Sequence, residues 1–227
     1  MKTYVSKFII SGFLLAAALT ACGVNLGSGN LTPVNGSGNI VTETRSVSGF
    51  NGVTITGAGN VLIDQSGTES LTLTTDDNLL QYITTEVRDG KLVIEFTRGV
   101  VFGKVQELTF KVGAKNLNSL QVDGATNVEG KNIATENLSV KLNGAGAITL
   151  SGKATAQDVS LDGVGAYNGA ELASQRAKVT QNGAGSAVVR VSDSLEAIIS
   201  GLGSIEYMGN PQVTKNVSGL GTVRQRQ

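Results

Sequence analysis

Leu138-Ser139-Val140-Lys141-Leu142-Asn143-Gly144-Ala145-Gly146-Ala147-Ile148 alternates apolar and polar residues up to a glycine turn and resumes beyond it. Period two is the pattern of a strand with one buried face, and helical spacing fits it poorly. The turn recurs, as Gly124-Ala125-Thr126, Gly144-Ala145-Gly146, Gly163-Val164-Gly165, Gly183-Ala184-Gly185, Gly201-Leu202-Gly203 and Gly219-Leu220-Gly221, its first glycines spaced 20, 19, 20, 18 and 18 residues apart. Gly36-Ser37-Gly38 and Gly57-Ala58-Gly59 are earlier copies. A constant period near twenty is the mark of a solenoid.

Aligned on the first glycine, the copies share two apolar columns. Two residues before it stand Val34, Ile55, Val122, Leu142, Leu161, Ile199 and Val217, interrupted by Gln181; four residues after it stand Ile40, Val61, Val128, Ile148, Tyr167, Ala187, Ile205 and Val223. One coil cannot bury such a face alone, so coils must stack at about 4.8 Å, the spacing of paired strands. The expected fold is all-β, a right-handed β-helix or solenoid-like stack of coils of about twenty residues, the hand following from crossover chirality.

Between Gly59 and Gly124 the period lapses. Ile83-Thr84-Thr85-Glu86-Val87-Arg88 and Lys91-Leu92-Val93-Ile94-Glu95-Phe96 flank Asp89-Gly90, a strong hairpin signal, and Leu71–Thr75 and Glu107–Val112 read as further strands. An inserted antiparallel sheet beside or capping the coils is expected. Residues 45–227 then form a single β domain, with an N-terminal half, 45–114, carrying the insertion and a C-terminal coil stack, 115–223.

Composition narrows the chemistry. The 227-residue chain contains 30 glycines, 2 prolines, no tryptophan, one cysteine and no histidine. Without histidine, Ser-His-Asp and Cys-His catalysis and nearly all zinc and copper sites are excluded. The 18 basic and 18 acidic residues balance, so nothing offers the basic footprint of a nucleic-acid binder.

The single cysteine, Cys22, follows Leu19-Thr20-Ala21, an apolar run from Phe8 to Leu19, and the basic residues Lys2 and Lys7. That is the grammar of a bacterial lipoprotein signal peptide over residues 1–21, with lipid attached to Cys22. Residues 22–44, rich in Gly, Ser, Asn and Thr, are expected to be a flexible tether.

Arg45-x-Val47-x-x-Phe50-x-x-Val53-x-Ile55-x-Gly57-x-Gly59-Asn60-Val61-x-Ile63, followed by Asp76-x-Asn78-Leu79-Leu80-x-x-Ile83 and Gly90-x-Leu92-x-Ile94, resembles the head GIN domain family, labelled auto-transporter adhesins. Gly38-Asn39-Ile40 carries the motif most closely and Gly59-Asn60-Val61 nearly so; later coils replace Asn39, Asn60 and Asn127 with Ala147, Ala166, Ser186, Ser204 and Thr222. The resemblance spans Arg45 to Val223. It implies a β-helical, surface-exposed or periplasmic protein, often a lipoprotein, and brings no catalytic residue set.

The most prominent polar column lies just before the repeated glycine: Asn35, Thr56, Asp123, Asn143, Asp162, Asn182, Ser200 and Ser218. Such side chains can close glycine turns by accepting from backbone amides. Asp123, Asn143, Asp162 and Asn182 are also the candidates for sugar or calcium binding, although two coils separate the carboxylates, too far for shared ligation without Asn143 or water. Asp64, Asp76, Asp77, Asp89, Asp158 and Asp193 occupy unrelated repeat positions, unlike the paired carboxylates of a glycosidase. The reading is a lipid-anchored, non-enzymatic adhesion or scaffold module of the cell envelope, at the outer membrane or cell surface. It expects no cofactor or metal, a membrane partner through the lipid, and a glycan or protein ligand. A carbohydrate-active β-helix enzyme using carboxylates, or an envelope sensor or assembly factor, are the alternatives.

Overall fold

A computed structural model of the chain describes residues 32–226. The expected signal peptide and Cys22 lie outside the described residues. Strands dominate: β1 (Thr32–Val34), β2 (Ile40–Arg45), β3 (Gly52–Thr56), β4 (Ala58–Asp64), β5 (Ser70–Asp76), a 3-10 helix (Asp77–Tyr82), β6 (Ile83–Arg88), β7 (Lys91–Phe96), β8 (Val100–Phe102) and β9 (Leu108–Gly113) precede the coil stack. The stack consists of β10 (Ser119–Val122), β11 (Ala125–Leu142), β12 (Ala145–Leu161), β13 (Val164–Gln181), β14 (Ala184–Ile199), β15 (Leu202–Met208), β16 (Gln212–Val217) and β17 (Leu220–Gln225).

From β10 onward every pairing is parallel, and the coils form a β-solenoid of about five turns. The glycine repeat sets the register: Leu142 pairs with Leu161, and Ile148 with Tyr167. Both apolar columns face the interior, with Ile55, Val122, Leu142, Leu161, Ile199, Val61, Val128, Ile148, Tyr167, Ala187 and Ile205 all buried. Large and small residues compensate along them. The Tyr167 ring fills the space that a β-carbon on Gly169 would need, and Leu150 occupies the corresponding space at Gly130.

The Asp89-Gly90 hairpin forms as expected, with both residues at positive φ (49° and 71°), as a two-residue turn requires. The insertion is only partly antiparallel, however. β6 pairs antiparallel with β7, and β5 with both β9 and β2, but β7 and β9 stack parallel on β3 and β4 as one more coil layer. The coil of residues 52–64 is therefore sandwiched between a layer that follows it in sequence and the main stack, while β6, β5 and β2 close that end. Leu92, Val93 and Ile94 are all buried because β7 is covered on both faces.

Residues 32–44 are not a tether. β1 pairs with β8 and β2 with β5, since alternating Val41, Glu43 and Arg45 give β2 a half-buried face. Nor does Gly36-Ser37-Gly38 form a coil. Ile40 is exposed, and the loop wraps the acidic turn after β5: Asp76 accepts from the Gly38 amide at 2.7 Å, Asp77 from Ser37 Oγ at 2.5 Å and Asn39 Nδ2 at 2.8 Å, and Asn78 from the Ser37 amide at 2.9 Å. A β-carbon on Gly36 would run into the Asp76 carboxylate. The glycines resemble the repeat because close approach demands glycine in both settings.

Gln181 breaks the apolar column between Leu161 and Ile199, fully buried, with no protein partner for either amide atom. Unpaired buried polar atoms cost about 1–3 kcal/mol. Gln181→Leu, of similar volume, is expected to raise stability by about 2 kcal/mol on that account; a melting temperature at or below wild type would refute it.

Candidate functional site

Residues just before the glycine turns point outward because their predecessors point inward, and this places Asp123, Asn143, Asp162 and Asn182 in one row on the solenoid edge. Their partners differ from those expected. The turn amides bond to carbonyls of the preceding coil, Asn143 N to Val122 O, Ala145 N to Gly124 O and Asp162 N to Leu142 O, each at 2.9 Å. Parallel stacking satisfies these donors, so the side chains bond to one another. Asn143 Nδ2 donates to Asp123 Oδ1 at 2.5 Å and Asn182 Nδ2 to Asp162 Oδ1 at 2.6 Å. The second oxygens accept from Gln121 Nε2 and Ser160 Oγ, both at 2.8 Å.

The row is thus a pair of rungs joining neighbouring coils, with every carboxylate oxygen engaged. Among the described residues no three Asp or Glu side chains gather closely enough to hold a metal ion. Asp162→Ala is expected to cost about 1 kcal/mol, whereas Asp162→Asn, which retains an acceptor for Asn182, should be near neutral. Calcium should leave the melting temperature of the wild type unchanged, since a ligand of the folded state alone would raise it. A calcium-induced rise lost in Asp162→Asn would overturn this assignment.

The remaining carboxylates stand apart. Asp76 is buried and accepts from the amides of Gly38 and Gln106, at 2.7 and 3.0 Å. Ser37 and Asn39 donate to Asp77 and hold its carboxyl below the usual aspartate range. Asp64 accepts from Asn132 Nδ2 at 2.8 Å. Asp158 and Asp193 are exposed on the coil stack, and Asp89 lies in the hairpin turn. Asp76 and Asp77 are thus both taken up in holding the one loop of residues 36–39, and Asp64, Asp89, Asp158 and Asp193 lie on other segments.

Two open grooves cross the outer faces of the coils. The larger, about 880 Å³, runs over Ala134, Lys153, Ala173, Gln175, Arg190 and Asn210. In its register Lys153 and Arg190 both flank Ala173, so two cations stand two coils apart over a floor of small residues. The second groove, about 630 Å³, carries Asn137, Asp158, Arg176, Lys178, Ser194 and Glu196.

A buried hydrogen-bond chain supports the larger groove from beneath. Tyr167 Oη donates to Gln157 Oε1 at 2.8 Å, Gln157 Nε2 to Ser174 Oγ at 2.7 Å, and Ser174 Oγ to the Arg190 carbonyl at 2.8 Å. Burial pushes the Tyr167 hydroxyl well above the usual tyrosine range, so it remains a donor. Sequence spacing identified Tyr167 as core but missed the grooves; the larger lies just past places where the coil register shifts, between Gly130 and Ile133, Thr149 and Ser151, and Gly169 and Ala173. Asn132 and Gly152, residue types that tolerate such backbone angles, adopt positive φ of 58° and 130° beside the first two shifts.

Residues 49–211 match the model of a family described as "Putative auto-transporter adhesin, head GIN domain". A crystal structure of a "putative adhesin" from Bacteroides fragilis superposes with a TM-score of 0.70 at 23% identity, covering 85% of this chain and 100% of that one. A "putative lipid binding protein" from Parabacteroides distasonis superposes with a TM-score of 0.51 at 20% identity, covering 86% and 100%. No curated protein matches the chain.

Proposed function

The chain belongs to the head GIN domain family, and from that premise we propose that it is a non-enzymatic adhesion module of the cell envelope, anchored through a lipid on Cys22 and binding a surface glycan along the solenoid face. The observation that carries this reading is the larger groove. It lies open across successive coils; Lys153 and Arg190 stand two coils apart in one register column, with Gln175 and Asn210 lining the same groove beside them, and Arg190 is held by the Ala170 carbonyl and Glu171. An extended chain bearing hydroxyl or carboxylate groups fits such a surface, because it can lie across the coils and meet Lys153 and Arg190, two strand spacings apart, with small Ala173 between them.

A glycan array probed with wild type and with Lys153→Glu and Gln175→Ala variants tests this. Selective binding, weakened about tenfold by each exposed substitution without a change in melting temperature, supports a groove ligand; such a loss corresponds to about 1.4 kcal/mol. Release of new reducing ends from a bound glycan would favour the carbohydrate-active enzyme, and an array without signal would remove the glycan. For the anchor, Cys22→Ser is expected to leave the membrane fraction, and wild type to incorporate labelled palmitate.

A further inference from the structure

The two ends of the solenoid are built differently. At one end β6, β5 and β2 cover the coils, and the described chain enters there, with β1 paired to β8. At the other, β16 pairs only with β14 and β17 only with β15 among the described residues, so the last coil has nothing above it. Its interior column is consequently open. Val217 is 42% exposed where Leu142, Leu161 and Ile199 are sealed.

Two further apolar side chains gather at this end. In the exposed ridge formed by the residue after each first glycine, Ala125, Ala145, Val164 and Ala184 are followed by Leu202 and Leu220. Val164 is a single 65% exposed side chain between alanines, whereas Leu202 and Leu220 pair directly in register and are 54% and 79% exposed. Charge changes over the same span. Residues 32–200 carry 13 basic against 17 acidic side chains, whereas residues 201–226 carry Lys215, Arg224 and Arg226 against Glu206 alone. Arg224 and Arg226 share that carboxylate, which leaves a positive surplus. Lys215 occupies the inward column of Val140, Val159, Val179 and Ala197, and reaches across the coil end to the Val223 carbonyl at 3.1 Å.

We propose that this C-terminal tip is a contact surface for an anionic lipid bilayer, with Leu202, Leu220 and Val217 entering the interface and Lys215, Arg224 and Arg226 meeting the headgroups. Exposed aliphatic side chains rimmed by cations are the chemistry of an interfacial anchor. A second copy of the chain fits less well. End-to-end stacking would juxtapose two basic ends and strip water from Lys215, an inward-pointing charge of the kind that blocks strand pairing at sheet edges. The proposal is independent of the groove: an empty glycan array leaves it standing, and its failure leaves the groove untouched.

The test uses residues 31–227, the compact unit containing the whole described core, which also removes Cys22 as a source of binding. Co-sedimentation is measured with vesicles of phosphatidylcholine plus phosphatidylglycerol and with phosphatidylcholine alone. Binding is expected only to the anionic vesicles, weakening as salt rises. Lys215→Gln and Arg226→Gln should each lower the partition about fivefold, the effect of one basic residue at such a surface. Leu220→Glu should abolish measurable binding while melting as wild type. Binding that is absent, equal on neutral vesicles, or unchanged in Leu220→Glu overturns the proposal. So does a concentration-dependent dimer in solution that Leu220→Glu dissociates, which would assign the tip to a second copy.

Discussion

Gly163→Ala is expected to destabilise the domain by about 3 kcal/mol or more, enough to leave much of the population unfolded at moderate denaturant. A β-carbon at Gly163 would stand 2.8 Å from the Gly144 carbonyl carbon and 2.9 Å from that of Asn143, and closer still to the Gly144 oxygen. These are backbone atoms and cannot swing aside. The spacing is also locked, because the Val164 amide donates to that same Gly144 oxygen at 2.9 Å. Relief therefore requires parting two coils and breaking their ladder. Gly67→Ala is the control: its φ is 88° but its β-carbon would meet nothing, so only backbone strain of about 1 kcal/mol applies. Urea denaturation of both variants decides the matter, and comparable midpoints would contradict the stacked-turn explanation. Gly144, Gly183 and Gly201 should behave as Gly163 does, since a β-carbon on each meets the coil before it.

Leu161→Ala is expected to cost about 2–5 kcal/mol, the range for a fully buried leucine whose surroundings cannot collapse into the cavity. Leu161 is walled by Leu142 on one coil and Gln181 on the next, at a spacing fixed by backbone hydrogen bonds. Val217→Ala, in the same column at the open end, should cost under about 1 kcal/mol, because its side chain already meets solvent. Chemical denaturation of the two variants measures the gradient along one column. Leu142→Ala combined with Leu161→Ala should fall short of the sum of its parts, as the two share one cavity. Equal losses at Leu161 and Val217 would refute the assignment of a sealed interior ending in an open coil.

Much of this architecture is written locally. Period-two alternation in Leu138–Leu142 and the recurrence of glycine establish strands, coil length and the pairing of Leu142 with Leu161, because each coil repeats the same short-range rule. Asp89-Gly90 likewise specifies its turn through the backbone angles it tolerates. The expectation of a lipoprotein signal before Cys22 rests on a linear motif alone and on no feature of the fold.

What is not local escaped the sequence. Alternation in β7 and β9 is the same whether the neighbour runs parallel or antiparallel, so only the closed structure shows them stacking on β3 and β4. Gly36 and Gly163 share a motif, yet one glycine admits a carboxylate and the other a carbonyl. The Asp and Asn row was legible as a column, but not its bonding, since the turn amides had already been supplied by the coil beneath. The sequence by itself determined that this protein is a stack of glycine-cornered β coils, because steric and hydrophobic periodicities act over a few residues. The tertiary structure alone decided which end is closed, which apolar residues remain bare at the other, and where grooves cross the coils, because burial depends on what lies above a residue, and its own neighbours in the chain do not record that.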